Sequence, residues 1–495
     1  MHNHPMDNNS EYRVNFIREL LKYSILIISI VISVYIYRSS NKIPKGFEYL
    51  FLIPILFGIY FTFSKLKYYF LKSITISFFI LVLFFRYLLT PLIMAVSNNY
   101  SAMFNGADTL HNDRYLAIAL MIYEMLFIFI AIEMCIRKIL NKKEIIKTDC
   151  KMPYDYPNLV FILSIFIGLL GLFIFPNLLE DFNLLYVNKK IYISNRNAIV
   201  TMISYLSSFV QVFMFIITVK YCCYKKQIYH RYNKILLLIV SLINITFLWS
   251  ANRMTIFIIL GTTLEILLYC FPESKKMFYT FLISIAVIMV IMLSSYRLFG
   301  TIGSSINTNS FAKFFDLKNL SPQMQIYFSG PDSVAGAAAV KEYYEKMITS
   351  KTFLNDSFAA VRFINQLPIF INDKTNATIN YFNIYCSNGM DLGLIIPMIG
   401  QGYIYFGFLL SPIFSVICVA FLFISEKKIK ISNDIGYKYV FSYLGMNFAL
   451  FPMYNYTLIM QNVFGRFMPL FFIVWLNHYM YLNKERKDSD CWNQA

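Results

Sequence analysis

Apolar runs long enough to cross a bilayer recur along this chain, and they constrain its fold more than any other feature. A hydrocarbon core of about 30 Å takes about 20 apolar residues of helix. Runs of that kind occupy residues 23–37, 47–63, 73–96, 115–136, 159–179, 198–219, 235–249, 254–271, 277–296, 397–424, 439–453 and 464–482. In lipid every backbone N–H and C=O must be satisfied within the protein, which leaves helices or a closed barrel. The runs lack the two-residue alternation of barrel strands. The predicted class is all-α: a polytopic membrane protein of about 12 transmembrane helices with one large outer loop. Composition excludes a soluble domain, which carries about 25% charged residues. Here 58% of residues are hydrophobic and 14% charged.

The runs divide the chain into helices one to nine (1–296), a large extracytoplasmic loop packed on the membrane domain (297–396), and helices ten to twelve with a cytoplasmic tail (397–495). Lysine and arginine collect in the cytoplasmic loops of membrane proteins. With both termini inside, the inner segments hold the majority of the 44 basic residues although the outer segments are longer. The expected location is therefore the cytoplasmic (inner) membrane, multipass, with both termini cytoplasmic. The net charge of +17 reads as inner-leaflet anchoring, as at Arg137-Lys138 and Lys427-Lys428, and not as nucleic-acid binding, which needs a compact basic domain. Of the eight cysteines, only Cys386 falls outside on this topology, so no external disulfide pair is expected. No CxxC spacing points to zinc. The stretch through Lys22 is polar, so the first span is expected to be an uncleaved anchor. No repeat relating the two halves is visible.

The 297–396 segment stands apart. It contains Tyr327-Phe328-Ser329-Gly330-Pro331-Asp332, then a helix-forming run from Ser333 to Met347. Pro331 suits the first position of a helix, where its missing N–H is no loss. Apolar pieces from Phe358 to Ile371 and the glycines Gly389, Gly393, Gly400, Gly402 and Gly407 lead into the tenth run. So much aromatic and aliphatic content predicts a loop packed on the membrane helices.

Charge inside a membrane is unfavourable unless paired or functional. Arg86 lies within the third run, and Glu124 and Glu133 lie in the fourth. Two readings stay open for Arg86: a pair with Glu124 between neighbouring helices, or anion binding. Arg253 follows the seventh run in Ser250-Ala251-Asn252-Arg253, Arg297 closes the ninth, Arg362 lies in the long loop, and Arg466 begins the twelfth. For Arg253 the alternative is snorkelling to the headgroups. The five arginines fall at or near one membrane face. Guanidinium suits phosphate oxygens because its planar fork donates two parallel hydrogen bonds and stays charged. The predicted ligand of the group is a phosphate or pyrophosphate at the headgroup level.

Outer-side bases are Asp108, His111, Asp113, Asp332, Asp356, Asp373 and Asp391. Asp332, Asp391 and His111 head this set as catalytic candidates. Against them stand plainer roles: a first-turn acid complementing a helix dipole for Asp332, a turn former for Asp391, and a solvated loop histidine for His111. No nucleotide-binding or metalloprotease motif occurs, so no metal and no cofactor is predicted.

Several elements together resemble bacterial Wzy-type O-antigen or capsular repeat-unit polymerases. They are Arg86-Tyr87 with Pro91, the Glu124 helix, the Asn252-Arg253 turn, Tyr327-Phe328-Ser329-Gly330-Pro331, and Ile396-Pro397 with Gly400 and Tyr405-Phe406-Gly407. The resemblance implies a GT-C-like membrane glycosyltransferase acting on undecaprenyl-pyrophosphate-linked oligosaccharides at the outer face of the cytoplasmic membrane. It implies membrane lipids as surroundings, and a chain-length regulator and a flippase as further partners. Two other readings remain: an O-antigen ligase, which shares the donor chemistry, and a polysaccharide-lipid flippase or other transporter. The long outer loop fits a transporter poorly, because alternating access is mostly rocking of helical repeats around a midplane site.

Overall fold

The computed structural model describes residues 8–39, 42–70, 72–102, 109–140, 158–176, 178, 198–246, 253–299, 316–358, 377–387 and 394–492. Among the described residues every regular element is helical. Five helices are long and apolar enough to cross a membrane: Glu19–Arg38, Ile74–Ser97, His111–Ile139, Leu206–Tyr229 and Tyr456–Tyr481. Two further pairs qualify only as bent units, Met254–Cys270 with Pro272–Ile285 (120°) and Met398–Leu410 with Ile413–Ile431 (104°). Leu52–Phe63, Leu159–Ile174 and Lys234–Thr246 are shorter apolar helices. The described chain is thus an all-helical membrane protein with five to seven candidate spans. The 397–424 run, which reads as one span in sequence, is instead two helices meeting at a sharp corner. Gly407 takes φ +71°, a left-handed conformation open to glycine at no steric cost. Ser411 keeps helical angles (φ −54°, ψ −36°) as the cap of the first helix, and Pro412, which has no N–H to donate, follows it.

The chain forms two compact units. The first gathers Met1–Lys142, Asn307–Ile424 and Phe448–Gln461, so it takes in residues 316–358, 377–387 and 394–396 of the 297–396 segment. Its centre is the Pro331–Tyr344 helix, in which every residue from Pro331 to Val340 is buried. A helix can be enclosed on all sides only if its neighbours come close, and Ala-Gly-Ala-Ala-Ala permits that. It packs on the His111–Cys135 and Met398–Leu410 helices. At the second contact a Cβ on Gly400 would lie 2.3 Å from Ala337 Cβ. Proline begins this helix as the sequence predicts, with Gly330 preceding it and Asp332 in its first turn.

The second unit gathers Lys143–Ile306, Ser425–Asn447 and Asn462–Ala495. The Leu159–Ile174 helix lies along Ala198–Tyr229, with Gly168 facing Val210 and Leu206 and Gly171 facing Ile203. Ser207 Oγ donates to Gly168 O at 2.9 Å across the same contact. The outer flank of the Leu159 helix leaves Phe166 and Phe173 exposed, the latter at 85%. Water would oppose that surface, whereas acyl chains accept it.

Candidate functional site

Two of the five predicted arginines have described side chains, and both sit in π-helical turns: Arg86 in Phe85–Leu89 and Arg466 in Val463–Phe467. A π turn inserts one extra residue and re-aims the side chains around it, a device frequent at functional sites. The two arginines belong to different units.

Arg86 is wholly buried. Its Nη2 donates to Glu124 Oε2 at 2.6 Å, and Nη1 approaches Pro452 O at 3.5 Å. The other oxygen of Glu124 accepts Ser415 Oγ at 2.5 Å, and Tyr87 OH donates to Oε2 at 3.4 Å. Of the two readings open for Arg86, this geometry is that of the interhelical pair. Its Nε–H has no hydrogen-bond partner among the described residues. Glu133 is engaged elsewhere, its Oε1 accepting Lys65 N–H at 2.6 Å.

Arg466 differs. It is half-buried within the Tyr456–Tyr481 helix, and no carboxylate pairs with it among the described residues. It lines a small open pocket of about 30 Å³ with Ser208, Gln211, Thr255, Tyr439 and Tyr443. Apolar side chains complete the walls: Phe209, Val212, Ile259 and Leu470. Tyr443 is 5% exposed, and its hydroxyl has no hydrogen-bond partner among the described residues. The Tyr439 hydroxyl is held by Asn244 Nδ2 at 3.2 Å, which also donates to Thr263 Oγ1 at 3.0 Å. Thr255 belongs to the first turn of the Arg253–Cys270 helix, where backbone N–H groups lack intrahelical acceptors and the dipole favours anions. The pocket therefore offers a permanent cation, a buried hydroxyl with no partner among the described residues and a helix start, within apolar walls. That set suits an oxyanion carried on a lipid.

Arg253 opens the Arg253–Cys270 helix, and Arg297 lies in the Lys275–Phe299 helix. Arg362 and Asp391 lie outside the described residues. His111 is exposed at the start of its helix. Asp332 is buried with both oxygens engaged: Oδ2 accepts Ala102 N–H at 2.7 Å and Oδ1 accepts Thr109 Oγ1 at 2.6 Å. Thr109 in turn accepts Arg114 Nε–H at 2.8 Å. Gln325 Oε1 accepts the Asp332 N–H at 3.0 Å, and Ser333 Oγ donates to Gln325 O at 3.0 Å. Asp332 thus fastens the chain at 102 and 109 to the start of the central helix. Nothing in the sequence distinguishes Tyr439, Tyr443 or Gln211 as pocket residues, because they come from separate helices and match no local motif.

Among the described residues no group of three His, Cys, Asp or Glu side chains could hold a metal ion. No protein-family model, curated protein or solved structure matches the chain.

Proposed function

We propose that the chain is a membrane glycosyltransferase that joins undecaprenyl-pyrophosphate-linked oligosaccharide units into O-antigen or capsular polysaccharide. In this reading it spans the cytoplasmic membrane about 12 times with both termini inside, in a GT-C-like arrangement, and works at the outer face. One observation carries the reading: Arg466, in a helix long and apolar enough to cross a membrane, faces a pocket and pairs with no carboxylate among the described residues. A guanidinium in the hydrocarbon region costs about 2.5–3.5 kcal/mol on insertion scales and by default marks a functional site. An anionic lipid headgroup offsets that cost.

The chemistry asks little more of the protein at this point. A sugar pyrophosphate already stores the driving force of transfer, so no nucleotide is required. As the glycosidic bond forms, negative charge grows on the departing diphosphate, and in this reading the Arg466 guanidinium and the Tyr443 hydroxyl stabilise it.

The test is a repeat-ladder assay in cells and in isolated membranes. Arg466→Ala lowers polymerisation by about 100-fold or more, the size of effect seen when one oxyanion donor is removed. Arg466→Lys keeps the charge but loses the planar fork, so it falls between. A wild-type ladder from Arg466→Ala sinks the reading. Deleting the gene separates the alternatives: one repeat unit on the surface lipid marks a polymerase, and complete loss of attached chains marks a ligase. Lipid-linked units held on the inner leaflet mark a flippase.

A further inference from the structure

Behind the Arg466 pocket, polar groups of the second unit form a chain of hydrogen bonds whose direction is fixed at its far end. Thr263 Oγ1 donates to Ile259 O at 2.7 Å, one turn back on the Arg253–Cys270 helix. A hydroxyl carries a single hydrogen, so towards any further partner Thr263 only accepts. That partner is Asn244 of the Lys234–Thr246 helix, whose Nδ2 lies 3.0 Å away. The amide therefore turns its NH2 group to Thr263, and the other hydrogen on the same nitrogen goes to the Tyr439 hydroxyl at 3.2 Å. Asn244 Oδ1 is left buried with no hydrogen-bond partner among the described residues. The Tyr439 oxygen is thus committed as an acceptor, while its own hydrogen meets no acceptor among the described residues.

Burial keeps this order in place. Asn244 and Thr263 are 0% exposed and Tyr439 is 1% exposed, so bulk water does not compete for the amide. Phe215, itself enclosed, packs on the Tyr439 ring with centroids 5.8 Å apart. Tyr439 lines the pocket with Tyr443, one turn further along the Ile435–Ala449 helix and on the same face. A volume of about 30 Å³ has room for about two water-sized groups. It takes an oxygen or two of a phosphate, and a sugar ring does not fit. A hydroxyl with its oxygen committed and its hydrogen open is a one-way donor, and an anionic oxygen is the acceptor that gains most from it. Were the amide reversed, Asn244 would take the Tyr439 hydrogen and leave the hydroxyl lone pairs to oppose an anion.

Resting on the diphosphate reading of the pocket, we infer that Asn244 is a positioning residue: anchored by Thr263, it turns Tyr439 into an obligatory donor to the phosphate oxygen that Arg466 binds. Asn244 does not touch the ligand and acts only through Tyr439. Arg466 supplies the charge, and Tyr439 supplies a directed hydrogen bond from a different helix. Every residue in the chain belongs to the second unit.

The experiment measures binding of farnesyl pyrophosphate to the full-length protein in detergent, with farnesol and inorganic pyrophosphate as controls. Asn244→Leu frees the Tyr439 hydroxyl to rotate and weakens binding by about 10-fold or more, the size of a hydrogen bond to a charged group. Tyr439→Phe keeps the ring, removes the donor and weakens binding at least as much. The double variant binds no worse than Tyr439→Phe alone, because Asn244 then has nothing to orient. A residue that merely braced the helices would add its loss in both backgrounds. If Asn244→Leu does not fold, Thr263→Val replaces it: without its anchor the amide reverses and captures the Tyr439 hydrogen, with the same loss in the wild-type background and none in Tyr439→Phe. Unchanged or tighter binding by Asn244→Leu, or additive losses in the double variant, overturns the assignment of Asn244. Wild-type protein that binds farnesyl pyrophosphate no better than farnesol, or Arg466→Ala that binds it like wild type, overturns the diphosphate reading, and the inference falls with it. Tighter binding of farnesyl than of inorganic pyrophosphate supports a lipid-borne ligand, and equal binding overturns that part of the reading.

Discussion

Arg86 sits in a π-helical turn with its guanidinium 2.6 Å from Glu124 and both side chains shut away from solvent. Arg466 sits in a π-helical turn of another helix and opens on a pocket. The sequence around the two, Phe85-Arg86-Tyr87 and Gly465-Arg466-Phe467, does not separate them. What separates them is whether a carboxylate from a distant helix arrives. Glu124 is 38 residues from Arg86, and the Ser415 that completes its shell is 291 residues from Glu124. Arg86→Ala should destabilise the protein by about 3–5 kcal/mol, because it leaves Glu124 charged and buried without its partner. Replacing both, as Arg86→Met with Glu124→Leu, removes the uncompensated charge and should recover much of that loss. Thermal unfolding in detergent reads both variants. A double variant no more stable than the single one would mean that Arg86 is held by something other than this pair. Asp332 and Asp356 make the same point for acids: both are buried aspartates, but among the described residues the first has both oxygens bonded and the second only one.

At the scale of elements, the Pro331–Tyr344 helix was legible in advance. Proline at its first position, glycine before it and an acid in its first turn are local signals. Its enclosure was not, because burial on every side depends on which helices pack there. The Gly400 contact with Ala337 shows how tight that packing is, with a Cβ placed at 2.3 Å. Gly400→Val should cost about 1–3 kcal/mol through overpacking, and Ala337→Gly should restore part of it by making room for the new side chain. Unfolding midpoints of the single and double variants check this, and an unchanged midpoint for Gly400→Val would mean that the two helices stand further apart. The corner between Met398–Leu410 and Ile413–Ile431 escaped a reading based on hydropathy, since an apolar run has the same hydropathy bent or straight. Gly407 and Pro412 were its only local marks.

For the whole molecule, the excess of basic residues on one set of loops predicts the sidedness of the chain. An epitope inserted beside His111 should be reached by antibody in intact spheroplasts, and an epitope at the carboxyl terminus only after permeabilisation. The reverse pattern would overturn the expected orientation, with both termini cytoplasmic. The sequence by itself determined the all-helical, membrane-embedded class, because bilayer thickness and the absence of water fix how much apolar helix a span requires, and both are read from composition over short windows. Only the tertiary structure decided which arginine meets a carboxylate, and how many oxygens of each aspartate are engaged, among the described residues. Those properties belong to side chains from separate helices brought within about 3 Å of each other, the reach of a hydrogen bond, and no local stretch of sequence contains both partners.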